Sequence, residues 1–370
     1  MIWKKIPETQ GWIQKLGEWA IRQRTFMPRM IDLEVSRACN LNCPTCMRRA
    51  KSSLAQRRAH EPFCTLQRFR EIHRQIPTLA TLNFMGDGEP LMNPETSDII
   101  EYAAKKDIYT IITSNITLVT PKTVKHWEQN KVYRVHASVD ATTKSLYEAI
   151  RVGAEWEQTL HNLYLLGNSS IPLCINTVIT QQNITEMPAI VKLAKTVGAK
   201  EVTFLMPICT YGDDTNTRPQ NNNTNRYLFD ETHKLCKRLG VRWVFPVKLN
   251  PTWKKLNYPF IRPEITIEGD VYACCYSLGR GVVWYSGYKY EIPENTYNMG
   301  NMFRESFRQI WHGSAYEELR RVCKATERPK GTTISREDLL KMTREVFENP
   351  NAGRFDHCKV CLVRWGAVCS

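Results

Sequence analysis

The chain has 370 residues, 42% hydrophobic and 24% charged, enough for one large domain plus a smaller one and too apolar for wholesale disorder. Lys and Arg outnumber Asp and Glu by 51 to 37, a formal charge of +14. No apolar run reaches 18 residues, so no spanning helix is expected, and Met1-Ile2-Trp3-Lys4-Lys5 lacks the apolar segment of a secretion signal. The 13 cysteines are too many for chance and odd for a disulfide framework. Without a secretion signal they point to a reducing, cytoplasmic setting, where clustered cysteines are more often metal ligands or catalytic groups than cross-links.

Residues 8–25 have the pattern of an amphipathic helix, with Trp12, Leu16 and Trp19 on one face. It would dock on the main body or, with its flanking Lys and Arg, lie on a membrane surface. From residue 31 a rhythm begins. Strands are predicted at 31–35, 80–85, 109–113, 134–139, 174–179 and 201–205. Helices are predicted between them at 65–75, 97–105, 121–129, 143–150 and 187–197. Such alternation implies right-handed βαβ units, a parallel sheet and an open, partial (β/α)6 barrel of the TIM type. Its chemistry belongs at the C-terminal ends of the strands.

The rhythm stops at residues 210–226, a polar, turn-rich stretch. A helix at 228–239 and a strand at 242–245 follow. Then come a hairpin over 265–273 turning at Gly269-Asp270 and helices near 306–311, 316–322 and 336–347, the last capped by Ser335. The division this gives is an N-terminal extension (1–30), the barrel (31–210), a connecting helix and strand (211–245) and a smaller α+β domain (246–370).

Cys39, Cys43 and Cys46 form a C-x3-C-x2-C group in the loop after the first strand. Three thiolates on one loop suit one corner of an iron–sulfur cubane, which normally takes four, and leave one iron open for catalysis. A zinc knuckle is the alternative, but it would want a fourth ligand nearby, and His60 is too far in sequence. Cys64, Cys174 and Cys236, without close cysteine neighbours, are taken as small hydrophobes.

This group, at this position, resembles the cluster-binding motif of the radical SAM superfamily. The resemblance extends in order along residues 31–210. Phe84-Met85-Gly86-Asp87-Gly88-Glu89-Pro90 resembles the family's Gly-Gly-Glu-Pro segment, with Asp87 inserted between the glycines. Thr113-Ser114-Asn115 resembles Thr-x-Asn-Gly, with Ile116 where Gly is usual. Ser138-Val139-Asp140 and the later Arg151 are similar to the ribose-contacting Ser-x-Asp and the arginine near the SAM carboxylate. Asn176, Val178 and Met206 match positions that touch ribose or adenine. The resemblance implies that Cys39, Cys43 and Cys46 hold a catalytic [4Fe–4S] cluster whose open iron chelates S-adenosylmethionine (SAM), with Glu89 accepting from the methionyl ammonium. A 5′-deoxyadenosyl radical would then take a hydrogen atom from the substrate.

A second group lies beyond the barrel. Gly269 leads to Cys274 and Cys275, Gly300-Asn301-Met302-Phe303-Arg304-Glu305-Ser306-Phe307 precedes Ile310-Trp311, and Cys358, Cys361 and Cys369 stand near the end. This order resembles the SPASM and shorter twitch extensions of the same superfamily, which hold auxiliary iron–sulfur clusters. Two departures reduce the ligand supply: no cysteine stands in the stretch before Gly269, and the final pattern is C-x2-C-x7-C. The implied complement is one auxiliary [4Fe–4S] cluster on Cys274, Cys358 and Cys361, with Cys369 or Cys275 as fourth ligand or, failing both, an iron open to substrate. Zinc on the C-x2-C is the alternative, and Cys323 is taken as structural.

Family members with this extension modify peptides, protein side chains or small carbohydrates. The expectation is a maturase of a ribosomally made precursor peptide, with a splicease that excises tyramine to leave an α-keto-β-amino acid as the narrower guess. Thioether formation, cross-linking and epimerisation compete with that guess. A twitch-type dehydrogenase of an aminoglycoside-like alcohol and a non-catalytic iron–sulfur scaffold or electron carrier are the alternatives. The positive charge favours an acidic partner. The short N-terminal extension implies that a separate protein reads the peptide's leader, and flavodoxin or ferredoxin would donate electrons. Nucleic acid and membrane are disfavoured as partners, because no dense basic run with interleaved aromatics occurs and no span exists.

Overall fold

The computed structural model describes residues 27–46, 48, 62–205, 207, 219, 222–244, 262–273, 282–285, 288–291, 296–326, 334–349, 353 and 355. The helix expected over 8–25, most of the polar stretch at 210–226, and Met206, Cys274, Cys275, Cys358, Cys361 and Cys369 lie outside the described residues.

Six strands follow the expected rhythm: β1 (Met30–Glu34), β2 (Thr81–Met85), β3 (Tyr109–Ser114), β4 (Val132–Ser138), β5 (Leu173–Val178) and β6 (Glu201–Leu205). All five neighbouring pairs are parallel. Between them run α1 (Leu66–Gln75), α2 (Thr96–Lys105), α3 (Pro121–Gln129), α4 (Lys144–Ile150), α5 (Trp156–Gly167) and α6 (Met187–Thr196). Local sequence starts these helices in identifiable ways. Thr120 caps α3 in a reciprocal capping box with Thr123, and Pro121 stands in the first turn where a missing N–H costs nothing. Thr65 caps α1 by accepting from the Arg68 N–H.

The strands alternate in character. Leu33, Phe84, Ile112, Val135 and Leu173 share one face and are fully or nearly fully buried. Against that face pack Phe69, Ile72, Ile99, Val124, Trp127 and Leu163 from the helices. The opposite face carries Asp32, Asn83, His136, Asn176 and Thr203. A period of two therefore sorts the chain into an oily outer layer and a polar inner wall, the pattern of an α/β barrel interior that handles a ligand.

The sheet runs further than the rhythm suggested. After α7 (Asn223–Leu239) comes β7 (Arg242–Val244), parallel to β6. The two-residue strand β8 (Glu264–Ile265) pairs in parallel with β1, and β9 (Asp270–Tyr272) returns antiparallel beside it. A separate hairpin, β10 (Val282–Tyr285) with β11 (Tyr288–Glu291), stands apart, and β12 (Asn298–Asn301) pairs with β9. Among the described residues the order is β12-β9-β8-β1-β2-β3-β4-β5-β6-β7, a ten-stranded sheet. Three helices follow: α8 (Phe307–His312), α9 (Ser314–Ala325) and α10 (Arg336–Phe347), the last capped by Ser335, whose side chain accepts from the Asp338 N–H. The expected turn at Gly269 is present with φ +83°, and Phe303 packs so closely on it that a Cβ would lie 2.5 Å from its ring.

Candidate functional site

The loop after β1 holds the three cysteines, and its backbone is tied down from several sides. The Arg37 N–H bonds the Pro62 carbonyl at 2.8 Å, the Asn42 N–H the Val152 carbonyl at 2.8 Å, and the Cys46 N–H the Cys43 carbonyl at 3.1 Å. Arg48 reaches back to the Leu41 carbonyl through Nη2 at 3.1 Å. Arg37, 9% exposed, grips two carboxylates at once. Its Nε and Nη2 donate to Glu34 at 3.0 and 2.6 Å, and its two Nη atoms donate to Glu268 in the β8–β9 turn. Glu34 also accepts from the Ile267 N–H at 3.3 Å. The cysteine loop and the hairpin leading toward Cys274 are thus pinned to one guanidinium, a bidentate geometry that lysine cannot reproduce.

The turn after β2 comes in under that loop. Gly86 has φ +145° and lies against Glu34; a Cβ on Gly88 would stand 2.5 Å from the carbonyl oxygens of both Ser36 and Ala38. No other residue fits at Gly88 without moving backbone. The approach lets the Glu89 N–H bond the Ala38 carbonyl at 2.8 Å. The Glu89 side chain, 2% exposed, accepts from Ser114 Oγ at 2.7 Å, the Asn115 N–H at 2.7 Å and the Leu91 N–H at 3.2 Å. Burial pushes its carboxyl above the usual carboxylate range, and those donors, chiefly the Asn115 amide, pull it back. Asn115 turns its own amide to Asn40 at 3.0 Å.

Ile116 takes φ +58°, the left-handed conformation that glycine adopts freely, although it is fully buried and β-branched. Its N–H bonds Ser114 Oγ at 2.8 Å and its carbonyl accepts from Asn162 Nδ2 at 2.8 Å. The backbone here keeps the turn that a glycine would make.

Across the cleft, Asp140 joins three elements. Its Oδ1 accepts the Val178 N–H at 2.8 Å, and its Oδ2 lies 2.6 Å from Arg151 Nε. Although burial works against the charge, the Asp140 carboxylate keeps Arg151 firmly protonated. Burial raises the thiol pKa of Cys43, opposed chiefly by the nearby Arg151 charge, and burial likewise raises that of Cys46.

These pieces enclose one cleft of about 270 Å³ at the C-terminal ends of β1 to β5. Cys39, Cys43 and Cys46 share its rim, with Gly86, Gly88 and Glu89 beneath. Ser114 and Asn115, then Ser138 and Asp140, then Arg151 and Val178 complete the wall. Asn176 does not line it: its Oδ1 meets His136 Nδ1 at 3.1 Å, one step deeper along the inner wall. The three thiols face a common cavity. With Gly86 and Gly88 lining the same cavity, that donor set suits a multi-iron cluster with a ligand seated beside it. Sequence reasoning missed Arg37, Arg48 and His136. Only for His136 did a signal exist, because it precedes Ser138 by two on the same strand face.

The sequence profile of the Radical SAM superfamily matches residues 33–194, and the SPASM profile, an iron–sulfur cluster-binding domain, matches 258–335. The AdoMet-dependent heme synthase of Methanosarcina barkeri is 24% identical over 335 residues, 83% of this chain and 90% of that protein. The mycofactocin maturase MftC of Mycobacterium tuberculosis is 25% identical over 188 residues, 49% of this chain; the chain spans 45% of the maturase's length. The structure of Streptococcus suis SuiB bound to S-adenosylmethionine superposes with a TM-score of 0.62 at 15% identity, over 91% of this chain and 73% of that one. With both profiles matched in chain order and the cysteine cleft at the strand ends, the chain is a radical SAM enzyme with a SPASM domain, dependent on SAM, a [4Fe–4S] cluster and auxiliary iron–sulfur.

Proposed function

We propose that the chain is a cytoplasmic maturase of a ribosomally made precursor peptide. In this reading Cys39, Cys43 and Cys46 ligate the catalytic cluster and Glu89 orients the methionyl ammonium of SAM. Ser138 and Asp140 face its ribose, Arg151 answers its carboxylate, and Val178 and Met206 border its adenine. When bound, cluster and SAM supply a 5′-deoxyadenosyl radical that abstracts a hydrogen atom from the substrate. The chain's own part is to position that substrate over the strand ends and keep water out. Residues 246–370, with Cys274, Cys275, Cys358, Cys361 and Cys369 as the ligand pool, would carry one auxiliary cluster. The observation that carries the reading is the likeness of 49% of this chain to a protein named as a maturase, the mycofactocin maturase MftC; a related fold has also been seen with its precursor peptide, SuiB with SuiA. A separate leader-recognition protein and a flavodoxin or ferredoxin would be its partners. Splicing out tyramine remains the narrower form of the proposal.

A second reading has its own observation: the match to a heme synthase runs through nine-tenths of that protein, beyond the barrel into the second domain. It would place a tetrapyrrole over the cleft. One experiment separates the two. The chain is co-expressed with the short reading frames beside its gene, and the peptides are weighed by mass spectrometry, in deuterated water to reveal epimerisation. A changed peptide supports the maturase; unchanged peptides together with new haem absorbance support the second reading.

A further inference from the structure

The inner wall of the sheet holds an imidazole that the cleft as described does not use. His136 lies on β4 two residues before Ser138, on the same face, and Ser138 lines the cleft. Adjacent strands bring Asn176 to Ser138 and Cys174 to His136 in register. The His136 ring is only partly exposed, and its Nδ1 is 3.1 Å from Asn176 Oδ1. An amide oxygen accepts and cannot donate, so this contact places the proton on Nδ1 and leaves Nε2 with a lone pair. Nε2 has no hydrogen-bond partner among the described residues, and it is not among the enclosed polar atoms that lack one. A neutral imidazole whose acceptor no described residue occupies therefore sits on the inner wall, two residues below the cleft-lining Ser138.

The groups around it favour the neutral ring. Arg134 on the same strand, Glu201 on β6 and Arg262 before β8 face it, along with the thiol of Cys174 on β5. Arg134 and Glu201 pair with one another at 3.5 Å, and Arg262 is held by the fully buried Asp32, Nε to Oδ1 at 2.7 Å. The cationic charges near His136 are thus each matched to a carboxylate. Burial holds the His136 pKa below its ordinary value, with the Asn176 contact opposing it.

We propose that His136 Nε2 is the substrate-facing hydrogen-bond acceptor of this enzyme, with its tautomer set by Asn176, and that it binds an N–H or O–H of the substrate beside the reacting carbon. The assignment rests on the reading that substrate sits over the strand ends beneath SAM. It does not depend on whether the substrate is a peptide or a tetrapyrrole. A hydrogen atom can be taken from a carbon only if that carbon is held still, and an acceptor rooted in a strand holds it more rigidly than one on a loop.

The test uses the reconstituted full chain and diethyl pyrocarbonate, which acylates an unprotonated, accessible imidazole nitrogen, with each histidine read by peptide mass mapping. His136 is expected to label at pH 8 alongside the exposed His161, with a midpoint below about 6.5. SAM should slow labelling of His136 several-fold and leave His161 unchanged. Asn176→Asp should move the midpoint upward, because a carboxylate favours the imidazolium. His136 inert at pH 8, or labelling indifferent to SAM, would overturn the proposal whatever the substrate proves to be. With a peptide that the wild type converts, His136→Ala should weaken binding by about tenfold, the loss of one buried hydrogen bond. Wild-type affinity in that variant would also overturn it. A wild type that converts no peptide bears on the maturase reading alone, because the labelling still decides the role of His136.

Discussion

Arg151 Nε lies 2.6 Å from Asp140 Oδ2, and this ion pair joins the end of β4 to the turn after α4 at the wall of the cysteine cleft. Asp140 is 4% exposed and also receives the Val178 N–H, so it depends on Arg151 to balance its charge. Arg151→Met leaves a buried carboxylate without its cation, which should cost about 3–5 kcal/mol. Adding Asp140→Asn should recover part of that loss. Denaturant unfolding of the apo chain measures both; an Arg151→Met loss below about 1 kcal/mol would mean that the pair is solvated.

Gly88 decides whether the two loops can meet. Gly88→Ala places a methyl 2.5 Å from two backbone carbonyl oxygens that cannot rotate away. The expected cost is about 1–3 kcal/mol, with displacement of the 36–39 backbone. Iron retained per chain after reconstitution should fall while far-UV circular dichroism stays as in wild type. Full iron retention would show that the cysteine loop tolerates the shift.

Ile116 sets backbone strain against burial. Ile116→Ala keeps the left-handed residue and loses side-chain packing, an expected loss of about 2–5 kcal/mol. Ile116→Gly loses still more side chain but relieves a left-handed strain of about 1–2 kcal/mol. Despite its smaller side chain, Ile116→Gly should therefore be no worse than Ile116→Ala, and thermal unfolding of the pair decides it. A clearly less stable glycine variant would mean that the φ of +58° carries little strain.

The parallel barrel was legible in the sequence because its strands alternate cleanly and its helices carry apolar stripes. α5 was not. Two of its buried positions are polar, Thr159 bonding Tyr147 Oη at 3.0 Å and Asn162 bonding the Ile116 carbonyl, so its inward face reads as surface. The pairing of β8 with β1 was equally hidden, because Asp32 and Glu264 are brought together by register and not by any local pattern. The cysteine group was marked by its spacing, and Gly86, Gly88 and Glu89 only by the resemblance of their segment to Gly-Gly-Glu-Pro. Arg37 was not, because its role depends on Glu268, far away in sequence.

His136 links stability to pH. Its folded-state pKa is depressed by burial, so in acid the unfolded chain takes up a proton that the folded chain resists. The contribution is fully present above the unfolded value of about 6.5 and is lost as pH falls through the lower folded value. The stability of wild type relative to His136→Gln should therefore decline below that pH and stay level above it. A difference that grows on acidification would mean that the ring is charged in the folded chain.

The central claim is that the three cysteines on the β1 loop hold the cluster that drives SAM cleavage. The most direct measurement is 5′-deoxyadenosine formed by the anaerobically reconstituted, chemically reduced chain and by the Cys39→Ala, Cys43→Ala, Cys46→Ala triple variant. The account predicts formation by the wild type and none by the variant, with the variant still retaining auxiliary iron. Continued formation of 5′-deoxyadenosine by the triple variant would contradict it.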